Sequence, residues 1–546
     1  MIAKKWIIKP RKKEDLIEQI LYNRGFRTRE MIDEFLNPSL SNLPDIFSFK
    51  NMRLAVERLK KAQQNHETII VFGDYDVDGE TAAAIVWETL YKLGFAVLPY
   101  LPSREEGYGL NIQAIEKFKN EGVSLIITVD CGISSVAEIK LAKKLGIDTI
   151  VTDHHQPGNQ LPEALAIVHS DELAGVGVAW FLSQAILQEF KKRSQVKDFL
   201  DLVALGTIAD LSPLLGSNRI LVKHGIDVLR KTERIGLKIL IREAGLDLGE
   251  IDTYEIGFIL APRLNAMGRI HHAISSLRLL CTRDFRQAVE LSKKLNLKNT
   301  ERQDLTAGSY EQARRMVLGK VDFPKALIIA SQEWHEGIIG LVAGRLVEEF
   351  YRPAIVLSLG EKVSKGSVRS IPGFNIIQSL REFEEYFIDL GGHPAAAGFS
   401  IETVKIEMFK KHFLKAVEKG ITDDLLHPFL DIEAEIELGM ISQNFYNRLS
   451  KLSPFGMGNP EPLFLARNLE VLESRLVGKE KSHLKLKVKD KNSNPFEAIG
   501  FGLGLKEEIL QLIQKKEPLD CVFKISENTW QEQKILQLKM IDIKAS

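Results

Sequence analysis

Cysteine is scarce. The chain has three, Cys131, Cys281 and Cys521, among 546 residues. They lie far apart with no paired spacing, which argues against a disulfide framework or a zinc knuckle and fits a reducing compartment. Neither charge sign prevails: Lys plus Arg number 73, and so do Asp plus Glu. Nothing global therefore points to nucleic acid or membrane, and any basic surface must be local. Long apolar runs are also missing. The opening MIAKKWIIKPRKKEDL lacks an apolar core long enough for a signal peptide, and no run reaches membrane-spanning length. A cytoplasmic enzyme or binding protein is the expectation. No internal repeat is visible. The remaining composition, 45% hydrophobic and 27% charged, is that of an ordinary globular chain. The length suggests about two to four domains, each with its own core.

Residues 1–65 are polar and helical in pattern. From Thr68 the texture changes. Short apolar runs (TIIVF, FAVLPYL, SLIITV, DTIVT) alternate with helical stretches, two of which stop at Gly94 and Gly146. Strand alternating with helix predicts a parallel sheet covered on both faces, over 66–215. Residues 216–310 read as a helical connector, and 311–425 as a smaller α/β domain that opens at ALIIAS. From 426 to 546, short alternating segments separated by turns predict a small β-barrel or sandwich.

Chemistry concentrates where the apolar runs end. TIIVF is followed by Asp74, Asp76 and Asp78, whose spacing of two puts them on one side of an extended chain, and Gly79 then turns the chain into a helix. SLIITV ends in Asp130, and DTIVT in Asp153, His154 and His155. Asp210 ends a helical run before Pro213. Open α/β sheets bind ligands beyond the carboxyl ends of their strands. Alone, a D-x-D is a turn or a helix cap. Together, these acids would cost many kcal/mol in repulsion and lost hydration. Divalent cations remove that cost. Carboxylates with one or two imidazoles suit Mn²⁺ or Mg²⁺, with Zn²⁺ a further choice. So many ligands suit two ions about 3.5–4 Å apart, an arrangement that hydrolyses phosphoesters.

DYDVDGETAAA, VDCGIS, TDHHQP and ALGTIAD resemble the four metal motifs of DHH phosphoesterases, and their order and spacing resemble the RecJ family. APRLNAMGR, LNLKNTERQ, WHEGIIGLVAGRL, SVRS, GGHPAAAGFS and LSPFGMGNPEPLF continue that resemblance, which covers most of the chain beyond about residue 50. Shorter DHH phosphodiesterases place a histidine four residues before the first metal aspartate. Here that position is Phe72, which favours RecJ.

The resemblance implies a DHH domain, a helical connection, a DHH-associated α/β domain and an oligonucleotide-binding (OB-like) barrel. It implies that Asp76 and Asp130 hold one ion, joined by Asp74, and that Asp78, Asp130, His154 and Asp210 hold the other. His155 would contact the scissile phosphate or a bound water, and Asp153 would orient a histidine. Ser367, Arg369, His393 and Arg269 would bind phosphate, Arg104 the terminal phosphate, and Tyr108 would stack on a base. The activity implied is metal-dependent 5′→3′ digestion of single-stranded DNA to 5′-mononucleotides, in DNA repair and recombination. A monomer, with single-strand-binding protein and a helicase as partners, is the family expectation. Two rivals stand beside it: a DHH phosphodiesterase acting on oligoribonucleotides or cyclic dinucleotides, and a RecJ-like scaffold without catalysis.

Other segments have blander readings. Lys485, Lys487 and Lys489 face one side of a strand and fit either DNA contact or a lysine-protected edge. Arg269 and Arg369 could be ion-pair members. Trp334 and His335 read as packing and helix-cap residues, GVGVAWFL at 175–182 as close helix packing, and Cys131 as packing.

Overall fold

The N-terminal stretch, polar and helical in its pattern, also contributes a strand, β1 (Lys5–Ile8), before helices at Leu16–Asn23, Arg29–Leu36 and Met52–Gln64. Four residues are too few to show a period against their surroundings. The computed structural model describes residues 4–103, 106–107, 109–192, 197–270, 273–319, 323–515, 517–530 and 533–546. Contacts divide the chain into two units. The first comprises Asn37–Leu305 with Pro454–Pro460, and the second Met1–Leu36, Thr306–Ser453 and Glu461–Ser546.

In the first unit, β2 (Thr68–Gly73), β3 (Ala96–Tyr100), β4 (Val123–Val129), β5 (Asp148–Asp153) and β6 (Ala166–His169) form a parallel sheet ordered β3-β2-β4-β5-β6. Both faces are covered, as expected. Ile69 and Val71 of β2 join a core with the helices Val77–Lys92, Gly175–Glu189 and Leu200–Ala209. Ile70 and Phe72 pack on the other side with Ala114, Ile115 and Phe118. Each such side chain contributes about 1.5–3 kcal/mol on full burial. Gly94 and Gly146 follow two helices at φ of +79° and +77°, where glycine carries no Cβ penalty. The chain runs from β2 to β3 on one side, then crosses to β4 on the other. The carboxyl ends of β2 and β4 thus form the topological switch point. Beyond residue 216 this unit is helical, without a strand among its described residues.

In the second unit, β7 (Leu327–Ser331), β8 (Ala354–Ser358), β9 (Val363–Arg369), β10 (Phe387–His393) and β11 (Ala396–Glu402) form a mixed sheet ordered β10-β11-β9-β8-β7. Next, β12 (Phe429–Ile432) pairs in parallel with β1. β13 (Ala434–Glu435), β14 (Phe464–Val477), β15 (His483–Lys489), β16 (Phe496–Gly500), β17 (Leu519–Trp530) and β18 (Gln533–Ala545) then form the last sheet. Because β14 pairs with β17 as well as β15, the ring β14-β15-β16-β18-β17 closes on itself. That is the partly open five-stranded barrel of an OB fold.

β15 lies inside this ring, so it is not an edge strand. Lys485, Lys487 and Lys489 do share a side, but each meets a glutamate on a neighbouring strand. The partners are Glu497 at 2.8 Å, Glu473 at 3.5 Å and Glu470 at 3.1 Å. This cross-strand ladder explains the lysines. No local window of sequence contains it. Trp334 is buried and donates to Gln312 at 2.7 Å, while His335 Nδ1 accepts the Gly337 N–H at 3.0 Å, so both act in packing and capping. No helix among the described residues is long and apolar enough to cross a membrane.

Candidate metal centre

β2 ends at Gly73, and the chain does not continue extended through the three aspartates. Asp76 caps the helix Val77–Lys92 by accepting the Gly79 N–H at 3.0 Å, and Asp78 already lies in the first helical turn. Capping satisfies donors that a helix start leaves open, and it bends the aspartates together more tightly than a strand could. Gly79 is small for a different reason than turning: a Cβ there would lie 2.6 Å from the backbone of Asp74. The loop is held from outside as well. Asn265 accepts the Val77 N–H at 3.2 Å, and a Cβ on Gly268 would lie 2.4 Å from the Tyr75 carbonyl. Both belong to the NAMGR segment, on the helix Ala261–Ile270.

Asp130 follows β4 at φ of +60°, a left-handed conformation unusual for a residue with a Cβ. Its N–H donates to the Thr152 carbonyl at 3.0 Å, which fixes the reversal against β5. Asp153 ends β5. It accepts from the backbone of Ile133 (2.9 Å), His154 (2.7 Å) and His155 (3.1 Å), and meets His155 Nδ1 at 2.8 Å. It therefore orients His155 in particular. His169, at the end of β6, holds the His155 carbonyl at 2.8 Å. Asp210 follows the helix Leu200–Ala209, as expected, and accepts from the Ser212 hydroxyl.

These ends converge. Asp74, Asp76 and Asp130 bring one oxygen each within 4.8 Å of one another, as do the donor atoms of Asp78, His154 and Asp210, and those of Asp130, His154 and His155. His154 Nε2 lies 3.1 Å from Asp130 Oδ1 and 3.9 Å from Asp78 Oδ2. The 3.1 Å pair is buried and lacks hydrogen-bond geometry, so both atoms aim their lone pairs at shared space. That is the arrangement a bound cation requires.

The electrostatics agree. Burial, then the charges of Asp210 and Asp76, push the carboxyl of Asp78 well above its ordinary range. Burial, then Asp78, Asp76 and Asp74, does the same to Asp130, and burial with Asp210 raises Asp76. Burial and the neighbouring His155 keep His154 below its usual value, as a neutral ligand must be. His155 behaves oppositely. Burial opposes its charge, but the hydrogen bond and charge of Asp153 outweigh it and raise His155 to about 9. Asp153 itself is lowered, because its hydrogen bonds overcome its burial. Metal-free, the cluster must hold protons or repel itself; divalent ions reverse that. The donor set suits Mn²⁺ or Mg²⁺.

The helix Gly175–Glu189 takes part more directly than its apolar sequence indicates. The N–H groups of Gly175 and Val176 donate to the two oxygens of Asp78, each at 2.8 Å. A Cβ on Gly175 would lie 2.3 Å from Asp130 Oδ1, and one on Gly206 would lie 3.0 Å from Asp78 Oδ1. The 175–182 run packs closely, as read, and also seats the ligands. The available signal was a run of small residues opening a helix, since helix N-termini attract anions. Asn265 and Gly268 lie in the APRLNAMGR segment that carries the resemblance, but nothing in it signalled their contacts with the aspartate loop, and His169 carried no local signal.

The remaining expected residues lie elsewhere. Ser367 and Arg369 stand on β9, and His393 ends β10. Register aligns Arg369 with Ala396 of β11, and Ala396 with His393. Burial lowers Arg369, and among the described residues no carboxylate lies within ion-pair distance of it, so it is not the ion-pair member considered as its bland role. A Cβ on Gly340 would lie 2.8 Å from the Ser367 hydroxyl and 3.3 Å from the Arg369 guanidinium, so the start of the helix Ile339–Phe350 faces both. Arg104 and Tyr108 lie outside the described residues, as does the side chain of Arg269.

A parallel sheet whose adjacent strand ends, with one helix end, gather carboxylates and imidazoles into overlapping cation-sized groups defines a DHH-type metal centre. The DHH family N-terminal domain matches residues 68–207, the DHHA1 domain 324–422 and the RecJ OB domain 432–542. The single-stranded-DNA-specific exonuclease RecJ of Bacillus subtilis is 39% identical over 97% of this chain and 68% of its own. That of Escherichia coli is 33% identical over 88% of this chain and 87% of its own. Among solved structures, RecJ of Thermus thermophilus in complex with Mn²⁺ superposes with a TM-score of 0.85 and 28% identity, covering 99% of this chain and 80% of that one. The chain belongs to the RecJ family.

Proposed function

We propose that the chain degrades single-stranded DNA from its 5′ end to 5′-mononucleotides by hydrolysing phosphodiester bonds with two divalent ions. One observation carries the reading: the strand ends and one helix end set out two donor groups, Asp74/Asp76/Asp130 and Asp78/His154/Asp210, with Asp130 only 3.1 Å from His154. These groups would hold the ions, with Asp130 between them. Bound ions would acidify a water and stabilise charge on the reacting phosphate. The protein supplies the rest. Gly175 and Val176 fix the rotamer of Asp78 through both of its oxygens. Asp153 turns His155 and raises its affinity for a proton, so that the ring can donate a hydrogen bond to a phosphate oxygen. Ser367, Arg369 and His393 would grip the DNA backbone. An arginine without a carboxylate partner, beside a hydroxyl and a helix start, supports that role. A DNA substrate and three free cysteines support a cytoplasmic location, and the activity supports work in DNA repair and recombination.

The test is digestion of single-stranded DNA labelled at either end, with Mn²⁺ or EDTA, by wild type and Asp130→Ala. Mononucleotides should leave the 5′ end only with metal and only from wild type. Cleavage of short RNA with no action on DNA would move the chain to the oligoribonucleotide phosphodiesterases. Folded, metal-supplied protein that cleaves neither would make it a scaffold.

A further inference from the structure

Asp210 is the expected ligand that a helix end supplies. The helix Leu200–Ala209 stops there, Leu211 turns at φ of +63°, and a short link, 211–215, leads to the helix Gly216–Leu229. Within that link the Ser212 hydroxyl donates to the Asp210 carboxylate. The path of the link therefore decides where the carboxylate aims. Irregular backbone has no ladder to fix it, so its path depends on bonds from elsewhere.

One set of bonds comes from PFGMGNP, Pro454–Pro460, a stretch that belongs to the first unit although both its flanks belong to the second. The Met457 carbonyl accepts the Leu214 N–H at 2.8 Å, and the Pro454 carbonyl accepts from the buried Arg219 guanidinium at 3.4 Å. The loop closes on itself. Gly456 and Asn459 exchange backbone bonds at 2.9 and 3.1 Å, and the buried Asn459 amide donates to the Pro454 carbonyl at 2.7 Å. Glycine lets it lie against the link: Gly458 turns at φ of +72°, and a Cβ there would lie 3.2 Å from Pro213 Cβ.

The other set comes from Asn218, which is 1% exposed. Its Nδ2 donates to the Pro213 carbonyl at 3.2 Å and the Glu172 carbonyl at 3.1 Å, and its Oδ1 accepts the Ala174 N–H at 3.3 Å. Both donor hydrogens are thus used, which fixes the amide in one orientation. Ala174 directly precedes Gly175 and Val176, whose N–H groups hold Asp78. One buried amide ties the Asp210 link to the seat of Asp78, and these two acids share a donor group.

We propose that Asn218 and the loop Pro454–Pro460 are positioning elements of the Asp78/His154/Asp210 group. They set the gap between Asp78 and Asp210, and with it the grip on one of the two ions. The inference rests on the two-ion reading above, though not on the identity of the substrate.

The experiment is calorimetric Mn²⁺ titration of the full chain, with electron paramagnetic resonance of the loaded protein, for wild type, Asn218→Ala and Gly458→Ala. Wild type should bind two ions and give the spin-coupled signal of a close pair. Each variant should hold one ion as wild type does and the other about 10–100-fold more weakly, the usual effect of disturbing groups that orient ligands. The coupled signal should then give way to that of a single ion and return with excess Mn²⁺. A circular-dichroism melt in EDTA checks folding. Gly458 lies on exposed loop, so Gly458→Ala decides alone if Asn218→Ala does not fold. A lowered melt with both affinities intact, or equal weakening of both ions, overturns the proposal. If wild type binds two ions and the folded variants match it, the positioning role fails alone. If wild type binds fewer than two, the two-ion reading falls and the inference with it.

Discussion

Gly175 donates its backbone N–H to Asp78 at 2.8 Å, and its missing Cβ leaves the space that Asp130 occupies. One small residue thus seats an expected ligand of each ion. Gly175→Ala would put a methyl group 2.3 Å from Asp130 Oδ1 and force that carboxylate to move. Helix propensity favours alanine, so the helix itself should survive. We expect Mn²⁺ affinity to fall about 10–100-fold, the usual effect of disturbing the groups that orient ligands. Calorimetric Mn²⁺ titration reads it directly. An unchanged affinity would mean that the Asp130 position does not matter to binding.

Asp153 acts through His155. Asparagine keeps its shape but not its charge, so Asp153→Asn removes the main force raising His155 to about 9. Histidine is charged below its pKa. Lowering that pKa therefore brings the loss of the cation to lower pH. We expect kcat/KM to fall about 10–100-fold, with the alkaline limb of the pH profile displaced toward neutrality. A uniform loss without displacement would assign Asp153 to loop geometry alone.

Much of this site was legible because an apolar run that ends in acid marks the end of a buried parallel strand. Asp74, Asp130 and Asp153 follow that rule, and Asp210 follows its helical counterpart. What the run cannot show is partner choice. The bonds from Val77 to Asn265 and from Gly175 to Asp78 join residues 188 and 97 apart in the chain. The glutamates facing Lys485, Lys487 and Lys489 depend on strand order and register. The three aspartates misled for a related reason: spacing of two means one side only on a strand, and Asp76 had already started a helix.

Glu80 was not singled out by its sequence. It is fully buried in the first turn of the helix Val77–Lys92, and neither carboxyl oxygen has a hydrogen bond. The Ser276 hydroxyl beside it is engaged with the Leu264 carbonyl. Burial, then Asp76, pushes Glu80 well above the ordinary glutamate range. Below that range both folded and unfolded states are protonated, and the stabilising effect is complete. As pH rises, the unfolded chain ionises first, and stability is lost up to the folded value. Glu80→Gln removes the penalty. In EDTA at pH 8 it should be more stable than wild type by about 1 kcal/mol or more, with the gap closing in acid. Urea unfolding at both pH values checks this. Destabilisation at every pH, with weaker Mn²⁺ binding, would make Glu80 a ligand instead.

The same sign governs Asp76, Asp78 and Asp130, all raised by burial and mutual repulsion without metal. Raising the pH through the ordinary carboxylate range should therefore cost the metal-free protein stability, and Mn²⁺ should return it. At about 100 times its dissociation constant, a ligand that binds only the folded state stabilises by about 2.7 kcal/mol. The gain should be larger at pH 8 than at pH 5, because protons compete for the same carboxylates. Thermal melts with Mn²⁺ and with EDTA measure it. Asp130→Ala should lose most of the metal response yet melt higher than wild type in EDTA, since it deletes a buried charge from a crowded cluster. A variant that melts lower in EDTA would show that Asp130 supports the fold apart from any ion.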